Sequence, residues 1–244
     1  MAKVLFSNSK GQQLQGVYSS AGKSDYAIVM CHGLGSSMND PSFMIMERGL
    51  NRAGIDTLRF SYYSQRLLNP NPQYISTTDL KDDATRAYRQ MKKTHRHVGF
   101  LGFSLGGLAA IMAASEAKNP WAVALLSPVA THLGEALSHL AKVDVKEWEK
   151  HGFFMDGKLK YPFSLYEDAS RYNVPKAASK IKCPVVIYQG DLDRKVDPKN
   201  TDIIAKRIPN CRYEKIIGAD HIFLKNLTLL QVMRGTVEFF KSQK

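Results

Sequence analysis

Several features are scarce or missing in this 244-residue sequence, and each absence excludes a class of protein. No apolar run approaches the roughly 20 residues of a membrane-spanning helix, so no stable membrane insertion is expected. The three cysteines, Cys31, Cys183 and Cys211, are widely spaced and form no Cys-x-x-Cys pair, which argues against a disulfide framework and a zinc site. The N-terminus, MAKVLFSNSKGQQ, lacks the apolar stretch of about 7–15 residues that marks a secretory signal. We therefore expect a cytoplasmic protein with reduced thiols.

Acidic residues are the minority among the charges: 22 Asp and Glu stand against 34 Lys and Arg, for a net charge of +12. A basic face would attract nucleic acid or an anionic membrane. The basic residues are scattered, however, and the densest group, at residues 86–96, fits the outer face of one predicted helix. We expect a solvated surface and no nucleic-acid partner, and the charge pattern predicts no particular oligomeric state.

Apolar strand-like runs alternate with amphipathic helical patterns along most of the chain. The strands are predicted at residues 4–6, 13–18, 26–31, 56–60, 98–103, 121–126, 184–189 and 212–217. The helices are predicted at residues 42–53, 78–94, 105–117, 198–207 and 222–241. This βαβ repetition predicts an α/β fold, with a mostly parallel sheet and helices on both faces, in a single domain spanning residues 1–244.

The alternation stops for about fifty residues after Ser127-Pro128, in a stretch rich in aromatic side chains. We expect a small cap insertion, from about residue 130 to 175, after the sixth strand. It would lie over the C-terminal edge of the sheet, where open α/β sheets bind ligands. We expect most of its aromatic residues to form the insertion's own core, and some of them can also line an apolar acyl or aryl pocket. Met38, Asn39 and residues 62–64 also follow strand ends and are candidates for the pocket wall.

The pattern Gly102-Phe103-Ser104-Leu105-Gly106 lies between the strand at 98–103 and an Ala-rich helix. Gly-x-Ser-x-Gly in that setting predicts a strained strand-to-helix turn that exposes the serine hydroxyl above the sheet. The two glycines allow close approach of neighbouring backbone. Ser104 is therefore the candidate nucleophile of a serine hydrolase.

A serine hydroxyl needs a base to take its proton and a third group to orient that base. Asp193 follows the strand at 184–189, and His221 follows the strand at 212–217, so both are expected at the same sheet edge as Ser104. Asp191 is the rival acid, but its place directly after Gly190 favours a turn that it stabilises through its own backbone. Asp220 is expected to stabilise the loop beside His221.

These residues, together with His32-Gly33-Leu34-Gly35, resemble the α/β-hydrolase superfamily over almost the whole chain. The short hairpin start and the insertion are most similar to the feruloyl (cinnamoyl) esterase and monoacylglycerol-lipase-like branch. The resemblance implies an eight-stranded α/β-hydrolase sheet and an oxyanion hole formed by the backbone N–H groups of Leu34 and Leu105. It also selects Asp193 as the acid, through Gly190…Asp193…Val196, and gives His32 a role in shaping the oxyanion loop. Phe103 departs from the family, many of whose members have His there.

The expected function is hydrolysis of carboxylic esters through an acyl-enzyme, with Ser104 as nucleophile, His221 as base and Asp193 as acid. The expected substrate is a small-molecule ester with an apolar or aryl acyl group, and neither a metal nor an organic cofactor is required. Three alternatives remain open, and one of them is a nucleic-acid or membrane-surface role for the basic residues. The same triad serves thioesterases, amidases and peptidases, and a hydrolase scaffold can also carry a non-catalytic binding protein.

Overall fold

The computed structural model describes residues 1–66, 69–70, 72–224 and 228–244. Eight strands form one sheet: β1 (Ala2–Ser7), β2 (Gln13–Ser19), β3 (Tyr26–Cys31), β4 (Asp56–Ser61), β5 (His97–Phe103), β6 (Val123–Leu126), β7 (Val185–Gly190) and β8 (Cys211–Ile216). Their order across the sheet is β1-β2-β4-β3-β5-β6-β7-β8. Only β2 runs against its neighbours β1 and β4, and all other pairs are parallel. The predicted mostly parallel eight-stranded sheet is confirmed.

Alternate side chains of the central strand β3 contribute to two separate cores. Ala27, Val29 and Cys31 join one core, and Ile28 and Met30 join the other, all five being fully buried. The first core contains side chains of α2 (Thr77–Lys92), α3 (Leu105–Glu116), α7 (Val174–Ala178) and α8 (Pro198–Ala205), and the second contains those of α1 (Pro41–Arg52) and α9 (Thr228–Ser242). Helices thus cover both faces, as the unbroken apolar run of β3 predicts. None of the described helices combines the length and the apolar character that a membrane crossing requires.

The last helix begins later than predicted. Residues 222–224 form a turn, residues 225–227 of the predicted helix lie outside the described residues, and α9 covers Thr228–Ser242. The prediction of a helix start at residue 222 is wrong for a local reason. Phe223 is buried with a positive φ of 58°, and the Leu224 amide donates to Asp220 Oδ1. These contacts hold the chain in a turn just after His221.

The segment between β6 and β7 contains three helices before α7: α4 (Leu133–Ala141), α5 (Val145–His151) and α6 (Ser164–Ala169). It also contains an antiparallel ribbon of Phe153–Asp156 and Leu159–Pro162. Trp148 is fully buried there, against the rings of Phe154 and Phe163. Most of the segment's aromatic side chains therefore build its own core, which is continuous with the core around α3.

Two shorter elements follow β4. Gln65–Arg66 pairs with Asn69–Pro70, and Pro72–Tyr74 forms one 3₁₀ turn.

A buried ion pair links α1 to β4 and supports the loop that follows β3. Arg59 Nε lies 2.6 Å from Glu47 Oε2, and both side chains are under 5% exposed (2% and 4%). The Arg59 guanidinium also donates to the carbonyl of Met38, and Glu47 accepts from the Thr57 hydroxyl. The charge of Arg59 is thus satisfied by groups from two other parts of the chain, the Glu47 carboxylate of α1 and the Met38 carbonyl.

We expect Glu47→Ala to lower the free energy of unfolding by about 3–5 kcal/mol, because Arg59 would stay buried with an unpaired charge. Urea denaturation measures this loss. Glu147→Ala is the matched control, since Glu147 pairs with Lys150 and His151 while 57% exposed. The control change should be below about 1 kcal/mol. Equal losses in the two variants would contradict the role given to the buried pair.

Candidate active site

Ser104 occupies the sharp turn between β5 and α3. Its φ of 53° and ψ of −118° are a strained conformation for a residue with a side chain. A Cβ at position 102 would lie 2.4 Å from the Gly106 carbonyl oxygen, and a Cβ at position 106 would lie 1.9 Å from that of Cys31. Only glycine fits at these two positions, so the Gly-x-Ser-x-Gly pattern is a steric requirement of this turn.

The side chains of Ser104, His221 and Asp193 form a continuous hydrogen-bonded chain. His221 Nε2 lies 2.9 Å from Ser104 Oγ, and His221 Nδ1 lies 2.8 Å from Asp193 Oδ2. All three residues are buried. They follow the C-terminal ends of β5, β7 and β8, so the parallel sheet brings together the residues predicted as nucleophile, acid and base. The ring of Phe103 packs against that of His221, with centroids 5.2 Å apart.

The Asp193 carboxylate is held in its ionised form. Burial raises the pKa of this carboxyl, but hydrogen bonds from His221 and from the amides of Val196 and Lys195 outweigh it and leave the pKa below its usual value. Those two amides donate to Oδ1 at 3.0 and 2.9 Å. An anionic Asp193 favours the tautomer of His221 with its proton on Nδ1, which leaves Nε2 free to accept the proton of Ser104.

Gln189 is a positioning residue that sequence reasoning missed. Its Nε2 donates to Asp193 Oδ2 at 2.9 Å, and its Oε1 accepts from the Thr201 hydroxyl at 2.9 Å. Both Gln189 and Thr201 are fully buried. One feature of the sequence could have identified it: Gln189 ends the otherwise apolar run PVVIYQ. A side-chain amide that is buried there needs hydrogen-bond partners.

The two neighbouring aspartates stay outside the hydrogen-bonded chain. Asp191 Oδ1 accepts from the Gly218 amide at 2.7 Å, which corrects the expectation that Asp191 bonds its own backbone. It ties the loop after β7 to the loop that carries His221. Asp220 Oδ1 accepts from the Leu224 amide at 3.0 Å, the loop-stabilising role predicted for it.

Leu34 and Leu105 both line the space beside Ser104. Leu105 is the first residue of α3, so its amide has no acceptor within the helix. Within the described part of the chain, no carbonyl accepts from the Leu34 amide. Both predicted oxyanion donors therefore lie beside Ser104, and their amides have no backbone acceptor among the described residues.

His32 fixes the turn that carries Leu34. Its Nδ1 lies 2.8 Å from the Gly33 carbonyl oxygen, and its Nε2 accepts from the Tyr62 amide at 3.4 Å. Burial lowers the pKa of His32 to about 4, although the hydrogen bond to Gly33 opposes this shift. The imidazole is therefore neutral near pH 7, and its contacts shape the turn.

A cavity of about 170 Å³ opens beside Ser104, with a mainly apolar wall. Its lining residues are Leu34, Phe103, Ser104, Leu105, Val129, Leu133, Ala136, Leu137, Leu140, Lys195, Val196, His221 and Ile222. The prediction that Met38, Asn39 and residues 62–64 line this cavity is wrong. The Met38 carbonyl instead accepts from Arg59, and the Tyr62 ring packs against His32. In the described ranges, no three His, Cys, Asp or Glu side chains are placed to bind a metal ion.

The sequence matches the family model of the prolyl oligopeptidase family over residues 76–243, a range that includes Ser104, Asp193 and His221. The chain belongs to the prolyl oligopeptidase family. No curated protein sequence matches it.

Solved structures share the fold of this family member at low identity. Est1E from Butyrivibrio proteoclasticus, with ferulic acid bound, is 20% identical, with 98% of each chain covered and a TM-score of 0.87. The Pyrococcus furiosus esterase Pf2001 is 21% identical, with 99% of this chain and 91% of that chain covered and a TM-score of 0.77. Mouse alpha/beta hydrolase domain-containing protein 10 is 18% identical over the full length of both chains, with a TM-score of 0.80. The predicted α/β-hydrolase fold, superfamily and hydrolase class are confirmed.

In this prolyl oligopeptidase family member, we expect Asp193→Asn to lower kcat/KM for a chromogenic ester by about 10³–10⁴-fold, because an amide favours the wrong tautomer of His221. Asp191→Asn is the matched control and should cost less than about tenfold, since the amide oxygen still accepts from Gly218. Steady-state kinetics of the two variants measure the difference. The reverse ranking would move the acid to Asp191.

His32 should make stability fall in acid. Its folded pKa of about 4 lies below its ordinary value of 6.5, so the unfolded chain binds the proton more readily. Its contribution is complete above about pH 6.5 and is lost as the pH falls toward about 4. Between about pH 7.5 and about pH 5 the loss is on the order of 2 kcal/mol.

Denaturant unfolding of the wild type and of His32→Gln at both pH values tests this contribution. The variant should be less stable near neutrality but should lose less stability on acidification. An identical loss in both proteins would show that His32 does not titrate as its burial implies.

Proposed function

We propose that this protein is a serine hydrolase that cleaves carboxylic esters, with Ser104 as nucleophile, His221 as general base and Asp193 as the acid that orients it. The observation that carries the proposal is the hydrogen-bonded chain through these three side chains, 2.9 and 2.8 Å in its two links. It begins at a serine whose strained turn presents Oγ to an apolar cavity.

In the proposed reaction, Ser104 Oγ attacks the carbonyl carbon while His221 Nε2 accepts its proton. The carbonyl oxygen becomes an oxyanion, which the amides of Leu34 and Leu105 stabilise. Such donors contribute about 2.7–4 kcal/mol each where they have been measured in other enzymes. His221 then protonates the departing alcohol, leaving an acyl-enzyme. Water attacks that ester with His221 again as base, which releases the carboxylic acid and restores Ser104.

The cavity supports an apolar or aryl acyl group. Leu133, Ala136, Leu137 and Leu140 lie on one side of α4 and all contribute to its wall. We assign the inserted segment, about residues 130–175, the role of a cap on this ground. The solved esterases that share the fold, one of them holding ferulic acid, support the same substrate class.

Peptide hydrolysis is a second candidate, favoured by the family model that the sequence matches. A peptidase that holds a free amino terminus needs a carboxylate in its binding site. Among the described residues that line the cavity, none has a carboxylate side chain, and the one formally charged residue at neutral pH is Lys195. Esters are therefore preferred. Parallel assays on 4-nitrophenyl esters and on peptidyl 4-nitroanilides compare the two classes directly.

We expect Ser104→Ala to lower the turnover of 4-nitrophenyl esters by about 10⁶-fold, down to the background of the site, because no nucleophile remains. A fluorophosphonate probe should label the wild type and not the variant. Circular dichroism and thermal unfolding provide the control for folding.

The variant is expected to fold like the wild type, since alanine removes only a hydroxyl and leaves the backbone of the turn unchanged. Near-normal ester turnover by a folded Ser104→Ala protein would refute the proposed mechanism. Absence of both probe labelling and turnover in the wild type would instead favour a non-catalytic binding protein.

A further inference from the structure

A second cavity, of about 580 Å³, adjoins the active-site cavity and shares two lining residues with it, Leu140 and Lys195. Its full lining is Ser138, His139, Leu140, Lys142, Val143, Asp144, Arg194 and Lys195. The two shared residues form the boundary between them. A molecule bound at Ser104 could therefore extend past Lys195 into the second cavity, which we call the basic cavity.

Positive charge dominates the basic cavity. Arg194, Lys195 and Lys142 are cationic and Asp144 is anionic, which leaves two positive charges if His139 is neutral. None of the three cations has an ion-pair partner within the described part of the chain. Asp144 already serves as the cap of α5, where Oδ1 accepts two backbone amides. Three cations around one concavity without carboxylate partners match an anionic ligand.

Helix α4 connects the two cavities and changes character along its length. Leu133, Ala136, Leu137 and Leu140 follow helical spacing and line the active-site cavity. The C-terminal end of the helix, from Ser138 onward, lines the basic cavity together with Lys142. A ligand lying along α4 would meet apolar side chains near Ser104 and cationic side chains beyond Leu140.

We propose that the substrate is an ester that is apolar beside the scissile bond and carries a carboxylate or phosphate group farther along. This inference rests on the proposed function. The basic cavity holds that anionic group. Arg194 supplies a planar fork suited to two oxygens, and Lys142 and Lys195 supply point charges. Lys195 is a specificity residue in this scheme, since it lines both the apolar cavity and the basic cavity.

Matched ester pairs test the proposal. Mono-4-nitrophenyl esters of dicarboxylic acids of graded length are compared with 4-nitrophenyl esters of the methyl-ended acids of equal length. A phosphate-ended acyl series distinguishes carboxylate from phosphate, and a carboxyphenyl ester with its carboxamide partner places the anion on the alcohol side. The quantity measured is the ratio of kcat/KM for the anionic member to that for the neutral member.

We expect this ratio to exceed one at an optimal length and to fall as salt is added, because ions screen exposed charges. Lys195→Gln and Arg194→Gln should each lower it by roughly tenfold, the effect of one charged hydrogen bond. Lys195→Glu should lower it further, and Lys195→Arg should largely restore it. Lys199→Gln is the control, since Lys199 is exposed and lines neither cavity.

Preference in either the acyl-side or the alcohol-side series supports the proposal and identifies the end that enters the basic cavity. A ratio at or below one in every series, or ratios unchanged in Lys195→Gln and Arg194→Gln, overturns it. Binding to phosphatidylglycerol vesicles without a preference among monomeric esters also overturns it, and would assign the cations to a membrane surface. Neutral-ester turnover that depends on Ser104 shows separately that the proposed function survives.

Discussion

The carbonyl oxygen of Cys31 and the backbone of Gly106 lie so close together that no side chain fits between them. This contact presses the first turn of α3 against the end of β3. It places Ser104, at the start of that turn, beside the His32-Gly33 turn that follows β3. The two predicted oxyanion donors, Leu34 and Leu105, come from these two segments. A larger residue at position 106 would therefore separate Ser104 from Leu34, one of the two predicted oxyanion donors.

Around that contact, two buried titratable groups, Asp193 and His32, are each held in one protonation state. Asp193 is anionic because His221, Gln189 and two amides donate to it. His32 is neutral because burial lowers its pKa, and the hydrogen bond to the Gly33 carbonyl and the charge of Asp40 oppose this shift only in part. A low-dielectric setting makes these hydrogen bonds strong and makes an unpaired group costly. Burial thus determines both the protonation states of Asp193 and His32 and the loss of folding stability when one of their hydrogen bonds is broken.

Sequence patterns predicted those features of the fold and of the site that are determined by local steric limits and by the topology of the sheet. The strands of the sheet, the turn at Ser104 and the meeting of Asp193 and His221 at one edge follow from apolar runs, glycine spacing and parallel strands. Gln189 was missed because its role depends on Asp193 and Thr201, which no periodicity connects to it. The hydrogen bond from the Gly218 amide to Asp191 likewise joins two segments that are far apart in the sequence. The late start of α9 reflects the turn at residues 222–224, which overrides helical periodicity.

The short loop at residues 193–196 joins the proposed chemistry to the proposed specificity. The backbone amides of Lys195 and Val196 donate to the Asp193 carboxylate, and Lys195 also lines both cavities. A substitution at position 195 changes the side chain and keeps the backbone N–H. The charge that faces a substrate can therefore change without loss of the hydrogen bond from residue 195 to Asp193. In this loop the backbone amides are fixed by their hydrogen bonds to Asp193, whereas the side chain at position 195 can differ according to the ester that is bound.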